Sequence, residues 1–207
     1  MEKEQIISRV EIILSRIGPQ SMTMDYVARE CGISKRTLYE LIPDKRTLIS
    51  EAVRYSHDVH KREIEEIFAE ATNKFEALMK VYLNVRRHIQ RTSMVFLDDI
   101  KRLYPDIFDQ YRKNQADHVQ GFANVIKKAQ DEGLVLTNLN AEVAAMVFFI
   151  TMHNLNQREE FTSLSVGKVE LFDGAFLNFL RGIATIDGIK YIDEFLSHHN
   201  SLSINNN

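Results

Sequence analysis

The sequence predicts an all-α protein, and three observations support this fold class. Only three prolines and eight glycines interrupt its 207 residues. No run alternates Val, Ile or Thr with polar residues, as a half-buried strand would, whereas apolar residues recur at helical spacing through most of the chain. With 44% hydrophobic and 27% charged residues, a chain of this length can bury one core and a second, smaller one.

Composition also bounds the class of protein. The single cysteine, Cys31, excludes an internal disulfide framework and favours a reducing compartment. The first residues are charged rather than apolar, and the longest apolar run, Val143 to Ile150, is too short to span a bilayer. We therefore expect a cytoplasmic protein without a membrane partner. The net charge of −3 argues against a basic coat over the whole surface.

Start and stop signals divide the first 50 residues into three short helices. The first helix is predicted from Lys3 to Ile17, and each later boundary carries a capping side chain, a glycine turn or a proline stop. These signals are, in chain order, Gly18-Pro19, Thr23, Gly32, Ser34, Pro43 and Asp44. Residues 1–50 are therefore predicted to form a domain of their own.

Amphipathic helices, several of them long, are predicted over the rest of the chain. The fourth helix starts at Lys45 and carries the chain out of the first domain. The predicted ranges are 45–71, 73–91, 93–103, 106–132, 141–157, 166–185 and 187–198. Residues 51–200 are predicted to form a helical regulatory and dimerisation domain, and the polar residues 201–207 a flexible tail.

The third helix has one apolar side and one basic, aromatic side. At about 100° per residue, Leu38 and Leu41 are expected to face the core. A short basic helix behind a capped turn is the layout of a helix-turn-helix, which places its second helix in the major groove. Arginine, lysine and threonine can contact base edges, and a tyrosine hydroxyl suits phosphate oxygens. The alternative is the solvated face of an ordinary helical bundle. The opposite half and its borders carry Lys35, Arg36, Thr37, Tyr39 and Glu40.

The segment that contains this helix resembles the DNA-binding domain of the TetR/AcrR family of one-component transcriptional regulators. The matching stretch is VARECGISKRTLYELIPDKRTL, with its Val-Ala, Gly-Ile-Ser, Thr-Leu-Tyr and Pro-x-Lys features. With the first helix, the resemblance covers about a quarter of the chain. It implies an N-terminal helix-turn-helix domain, a homodimer, and a C-terminal domain that binds a small ligand and controls affinity for operator DNA.

The resemblance also implies which residues contact DNA. By position in the family, residues 35–37 meet base edges, whereas Thr23, Tyr39 and Lys45 meet the DNA backbone. Ser34 completes the set as the cap of the third helix. The predicted DNA-binding residues are thus Thr23, Ser34, Lys35, Arg36, Thr37, Tyr39 and Lys45.

Two positions depart from the family pattern. Ile42 stands where members usually have an aromatic residue, and it is still expected to pack the third helix on the fourth. Glu40 stands where aromatic or neutral side chains are common. A carboxylate near phosphates is unfavourable unless it accepts from a cytosine or pairs with Arg36 four residues earlier. Both interpretations of Glu40 remain open at this point.

Two helices near the C-terminus are apolar on more than one face and therefore need burial on more than one side. One side can meet the rest of the domain, and the other most simply meets a second copy of the chain. A fully internal core is the alternative. The predicted dimer-interface residues are Phe148, Phe172, Phe176, Phe179 and Leu180.

Aromatic residues, a methionine and a few polar tips recur on neighbouring faces of the helices at 106–132 and 141–157. Such a set describes a largely apolar pocket with sparse hydrogen-bonding groups, and it describes a packed core equally well. The ligand expected there is a hydrophobic or aromatic small molecule. The predicted ligand-binding residues are Tyr111, His118, Phe122, Met146, Phe149 and His153.

No arrangement of residues predicts an enzyme, and we expect neither a metal nor a cofactor. His57, His60 and Glu63 give at most a weak metal site, so a solvated helix surface is expected there. The sequence predicts a dimeric, sequence-specific DNA-binding transcriptional regulator, a repressor released from its operator by a small hydrophobic effector. The alternative is a helical protein-interaction adaptor whose helix-turn-helix does not read DNA.

Overall fold

The structure, a computed structural model, describes residues 2–91, 94–112, 115–155 and 166–204. Eleven α-helices occupy most of these ranges, which confirms the all-α prediction, and Val135 and Ala184 form an isolated bridge outside them. Within the same ranges, no helix combines the length and apolar character needed to cross a membrane. The helices are α1 (Lys3–Ser21), α2 (Met24–Cys31), α3 (Lys35–Leu41), α4 (Lys45–Glu70), α5 (Lys74–Arg91), α6 (Met94–Leu103), α7 (Pro105–Arg112), α8 (Gln115–Asp131), α9 (Ala141–Leu155), α10 (Lys168–Ile183) and α11 (Ile186–Ile204).

The chain divides into two compact units, each assembled from two segments. The N-terminal unit comprises Met1–Glu66 and His88–Asn114. The C-terminal unit comprises Ile67–Arg87 and Gln115–Asn207. The boundary predicted at residue 50 falls inside α4, within the N-terminal unit.

The core of the N-terminal unit is built around α1 and completed by residues from far along the chain. Val10 and Leu14 of α1 are buried together with Leu38 of α3. Ile100 of α6 and Ile107 of α7 belong to the same cluster. Full burial of an aliphatic side chain contributes about 1.5–3 kcal/mol. Packing by α6 and α7 therefore helps to stabilise the three helices that carry the predicted DNA-binding residues.

The end of α3 differs from the sequence prediction. α3 ends at Leu41, and the next residue, Ile42, has an extended backbone with φ −142° and ψ 111°. Ile42 is fully buried, which confirms that it packs, whereas Leu41 is 37% exposed. The expectation that Leu41 faces the core was wrong, because the extended conformation at Ile42 turns that side chain into the core instead.

Nearer the C-terminus, two predictions fall partly outside the described residues, and one differs from the structure. α7 and α8 occupy the range predicted as one helix at 106–132, on either side of residues 113–114, which lie outside the described ranges. Most of the polar loop predicted before residue 166 also lies outside them. α11 continues to Ile204 and so enters the segment predicted as a tail, of which residues 205–207 are outside the described ranges.

An aromatic cluster occupies the C-terminal unit. The ring centroid of Phe148 lies 4.8 Å from that of Phe122, 5.0 Å from that of Phe179 and 5.3 Å from that of Phe176. Ring pairs at such separations contribute about 0.5–1.5 kcal/mol beyond the area they bury. The cluster therefore contributes to the packing between α8, α9 and α10.

The residues predicted at a dimer interface lie in or beside this cluster. Four of them are buried within a single chain, and the fifth, Phe179, is half-buried among the other rings. Side chains covered in this way leave little surface for a second copy. The five are Phe148, Phe172, Phe176, Phe179 and Leu180.

Candidate nucleic-acid interface

Two side-chain caps and one left-handed glycine shape the turn between α2 and α3. Thr23 Oγ1 accepts a hydrogen bond from the backbone N–H of Tyr26 at 3.1 Å. Ser34 Oγ accepts from the backbone N–H of Thr37 at 3.0 Å. Between the helices, Gly32 has φ +66°, which residues with a Cβ rarely adopt. These are the predicted caps and the predicted turn, so local signals in the sequence determine how α3 leaves α2.

α3 turns a basic and aromatic side to solvent. Lys35 is exposed, the Arg36 side chain is 89% exposed, and Tyr39 is 43% exposed. Thr37 is half-buried, and its hydroxyl lies 2.8 Å from that of Ser34, the capping residue. The opposite side of α3 is anchored in the core of the N-terminal unit. The arrangement exposes donors of the kind that read DNA.

Two carboxylates pair with the cations of α3 in the free protein. Lys35 Nζ lies 2.7 Å from Asp25 Oδ1, and this hydrogen bond raises the pKa of Lys35. Arg36 Nε donates to Glu40 Oε1 at 2.9 Å, which is the i,i+4 pairing suggested for Glu40. Solvent-exposed ion pairs contribute about 0–1 kcal/mol each. A polyanion could therefore replace either carboxylate at a small energetic cost.

The first turn of α4 adds further charges directly after α3. Asp44 Oδ1 accepts from the backbone N–H of Thr47 at 2.7 Å, and this bond lowers the pKa of the Asp44 carboxyl group. Lys45 is half-buried, and burial lowers its pKa. Arg46 is exposed and pairs with Asp106 at the start of α7. Arg46 was not among the predicted DNA-binding residues, although its place as a second basic residue beside Lys45 was a signal for it.

Two of the six predicted ligand-binding residues are brought together. Phe122 of α8 and Phe149 of α9 are half-buried, with ring centroids 5.9 Å apart in an edge-to-face arrangement. Met146 is 52% exposed, and His118 is also exposed. The side chains of the remaining two, Tyr111 and His153, lie outside the described part of the chain.

A line of apolar side chains on α9 faces solvent. Val143, Met146, Val147 and Ile150 recur at i, i+3, i+4 and i+7, and each is between 51% and 57% exposed. Phe148, on the opposite side of α9, is buried in the aromatic cluster. Residues at this spacing share one face of a helix. The sequence predicted that this helix is apolar on more than one face, but the dimer interface was predicted at Phe148 rather than at this exposed line.

Comparison with known proteins finds a family model that matches the middle of the chain. Residues 68–157 match the family model described as tetracyclin repressor-like, C-terminal domain. Among proteins with curated descriptions, no match to this chain is found.

Solved structures share the fold at low sequence identity. A TetR-family transcriptional regulator from Agrobacterium tumefaciens is 15% identical, with a TM-score of 0.69 and coverage of 88% of this chain and 97% of that one. A transcriptional regulator from Cytophaga hutchinsonii is 20% identical, with a TM-score of 0.66 and coverage of 88% and 98%. A protein from Saccharomonospora viridis in complex with choline is 17% identical, with a TM-score of 0.69 and coverage of 88% and 97%. The resemblance to the TetR/AcrR family is thereby confirmed, since the chain has both the matching C-terminal domain and the TetR-type fold.

Proposed function

We propose that this chain, with its tetracyclin repressor-like C-terminal domain and TetR-type fold, is a dimeric, sequence-specific DNA-binding transcriptional regulator. The exposed basic side of α3, which follows a capped helix and a glycine turn, is the observation that carries the proposal. In helix-turn-helix proteins, such a helix enters the major groove and directs its N-terminal residues at the bases. Lys35 and Arg36 begin α3 and can donate to guanine O6 and N7.

Other residues of the same surface are proposed to position the protein on the duplex. Thr37 offers a hydroxyl or methyl group to a base, while Tyr39, Thr23 and Lys45 meet phosphates. Ser34 holds the start of α3 in place. Contacts to phosphate fix orientation without reading sequence, so this division predicts different consequences for the two groups of residues when they are substituted.

A second copy of the chain is proposed to bind the apolar line on α9. The four exposed side chains, Val143, Met146, Val147 and Ile150, form a surface without charged residues among them, as is typical of the centre of a protein interface. They replace the aromatic residues as the proposed interface because those residues pack within one chain. A two-fold dimer would place two copies of α3 on half-sites about 34–36 Å apart.

The effector is proposed to be a hydrophobic or aromatic small molecule that lowers affinity for operator DNA, so that the regulator acts as a repressor. The aromatic cluster of the C-terminal unit supports this class of ligand, because apolar walls with few polar groups suit it. The choline complex of the Saccharomonospora viridis protein is a case of a small organic molecule held by a chain of similar fold. A ligand can release DNA only if it binds the two states of the regulator with different affinities.

The effector proposal is tested with Phe149→Ala. This change enlarges the space beside Phe122, so it should alter the response to small aromatic ligands in a DNA-binding assay. Binding of operator DNA without ligand should stay nearly unchanged. A variant that loses thermal stability and operator binding together, with no change in ligand response, would show instead that Phe149 serves only the core.

Selection of bound fragments from genomic DNA tests the proposed function as a whole. We expect the recovered fragments to share a palindrome whose half-sites are separated by about one helical turn of DNA. Genes beside the recovered sites would also narrow the class of effector. Recovery of no sequence above the random background would favour the protein-interaction adaptor.

A further inference from the structure

The N-terminal unit contains a cavity of about 380 Å³ lined by α1, α4 and the last turn of α5. This volume lies within the range of small-molecule sites, which is roughly 300–1,000 Å³. Ile12 of α1 and Val59 and Tyr55 of α4 supply the apolar part of the wall. The lining contains no residue of α3, so the cavity is separate from the proposed DNA-reading surface.

The acidic groups in the wall already have partners. Glu11 Oε1 accepts hydrogen bonds from Ser15 Oγ at 3.1 Å and from Ser56 Oγ at 3.2 Å. Glu63 Oε2 lies 3.9 Å from His60 Nδ1. Each of the two carboxylates therefore has a polar neighbour within the wall.

His60 was expected on a solvated helix surface, and this expectation was wrong. Its side chain is half-buried in the cavity wall, where its ring centroid lies 5.6 Å from that of His88. Two imidazole rings thus connect α4 and α5 at this wall. Imidazole rings add flat surface and polar edges to the site.

Two arginines that are far apart in the sequence line the same cavity. Arg16 comes from α1 and Arg91 from α5. Neither guanidinium forms an ion pair with a carboxylate within the described part of the chain. Guanidinium groups bind carboxylates and phosphates through two parallel hydrogen bonds. The wall therefore holds two carboxylates, each with a polar neighbour, and two guanidinium groups on exposed residues that can take an anion.

We propose that this cavity binds a small organic anion, a carboxylate or a phosphate monoester carried on a compact apolar body. The guanidinium groups of Arg16 and Arg91 take the anionic group, and the ring of Tyr55 with Val59 and Ile12 takes the apolar body. Because its walls come from three helices, an occupant would hold α1, α4 and the end of α5 together. This is a ligand site distinct from the aromatic cluster of the C-terminal unit.

DNA phosphates do not account for these arginines in the proposed binding mode. Tyr55 lies ten residues beyond Lys45, about 15 Å along α4 at 1.5 Å per residue. Of the proposed phosphate contacts, Lys45 lies in the first turn of α4, and neither it nor Thr23 nor Tyr39 lines the cavity. The cavity is therefore more than a helical turn removed from the surface proposed to meet DNA.

Isothermal titration of the full chain with four benzene derivatives tests the site. Benzoate and phenyl phosphate carry the two anionic groups, benzamide is the neutral analogue, and benzyltrimethylammonium is the cationic one. We expect one or both anions to bind at millimolar or lower concentration and the other two probes to bind at least about tenfold more weakly, because hydrogen bonds to charged groups are the stronger ones. The better anion identifies the preferred head group.

Matched arginine variants assign the binding to the cavity. Arg16→Gln and Arg91→Gln should each weaken anion binding about tenfold or more, while Arg62→Gln, an exposed arginine of α4 outside the lining, should leave it unchanged. Circular dichroism checks that each variant is folded. Anion binding that is absent, that is equalled by benzamide or the cation, or that is reduced equally in Arg62→Gln would overturn the proposal. Because no DNA is present, the result does not depend on the proposed regulatory function.

Discussion

α3 and α9 each expose one side to solvent, but the two exposed sides have opposite chemistry. α3 buries Leu38 and exposes Lys35 and Arg36. α9 buries Phe148 and exposes an apolar line that includes Val147. Charged side chains remain well solvated until a polyanion replaces their partners, whereas a contiguous apolar patch favours contact with another protein surface. This contrast supports the proposal that α3 meets DNA and that α9 meets a second copy of the chain.

The largest expected effects come from placing the same negative charge either in the buried aromatic cluster or on the exposed apolar line of α9. Phe176→Glu puts a carboxylate inside the aromatic cluster and should prevent the C-terminal unit from folding, since loss of a buried Phe side chain alone costs about 3–5 kcal/mol. Val147→Glu places the charge on the exposed line, so the chain should remain folded. Its dimer should weaken at least about a hundredfold, because each copy would bury an unpaired charge.

Circular dichroism and analytical ultracentrifugation at micromolar concentration distinguish these outcomes. Asn124→Glu, at an exposed position of α8, is the matched control and should stay both folded and dimeric. A dimer that survives Val147→Glu unchanged would place the contact between copies elsewhere.

The next effect separates base contacts from phosphate contacts on the α3 side of the comparison. Arg36→Ala should cost about 1–3 kcal/mol at a selected site and relax its sequence preference. Lys45→Ala should weaken binding to all duplexes alike. Fluorescence anisotropy with the selected palindrome and a scrambled duplex measures both affinities. Indistinguishable profiles for the two variants would refute the division of roles.

A smaller effect tests the capping of α3. Ser34→Ala removes the acceptor for the backbone N–H of Thr37 and should lower the free energy of unfolding by about 1 kcal/mol. Ser34→Asn retains a capping acceptor and should keep most of the stability. Urea denaturation followed by circular dichroism measures the difference. Equal stabilities of Ser34→Ala and Ser34→Asn would show that the cap does not determine the orientation of α3.

The smallest effect concerns the acidic residue on the exposed side of α3. Glu40→Gln releases Arg36 from its ion pair and removes a negative charge from the surface proposed to face DNA. Affinity for random duplex should rise roughly twofold to fivefold, as expected for one exposed pair. Glu30→Gln, on the exposed side of α2, should change affinity less. If Glu40→Gln instead weakened binding, and only to DNA sites that carry particular bases, Glu40 would be a residue that reads sequence.

The sequence predicted the turn at α3 well because the signals are local. Thr23 and Ser34 each accept a hydrogen bond from a backbone N–H three residues later in the chain. Gly32 lies at the turn itself. The side chain that packs at the end of α3 was misassigned, since the extended backbone at Ile42 cannot be read from helical spacing. The caps of α3 were therefore predictable, whereas its last contact was not.

Contacts between segments that are distant in the chain could not be predicted from the spacing of apolar residues. Ile100 and Ile107 complete the core around α1, yet nothing in their neighbourhood identifies that partner. α9 is apolar on both sides, and only the packing of α8 and α10 decides that Phe148 is covered while Val147 is not. For the same reason, Arg16 and Arg91 could not be placed at one cavity from sequence.

The salt dependence of binding to random duplex DNA tests most directly whether α3 and the first turn of α4 meet DNA. The account predicts that the logarithm of the binding constant falls steeply and linearly with the logarithm of salt concentration, because bound cations release counterions. It also predicts that Lys45→Ala reduces that slope by about one for each bound copy of the chain. A flat salt dependence, or a slope that Lys45→Ala leaves unchanged, would contradict the account.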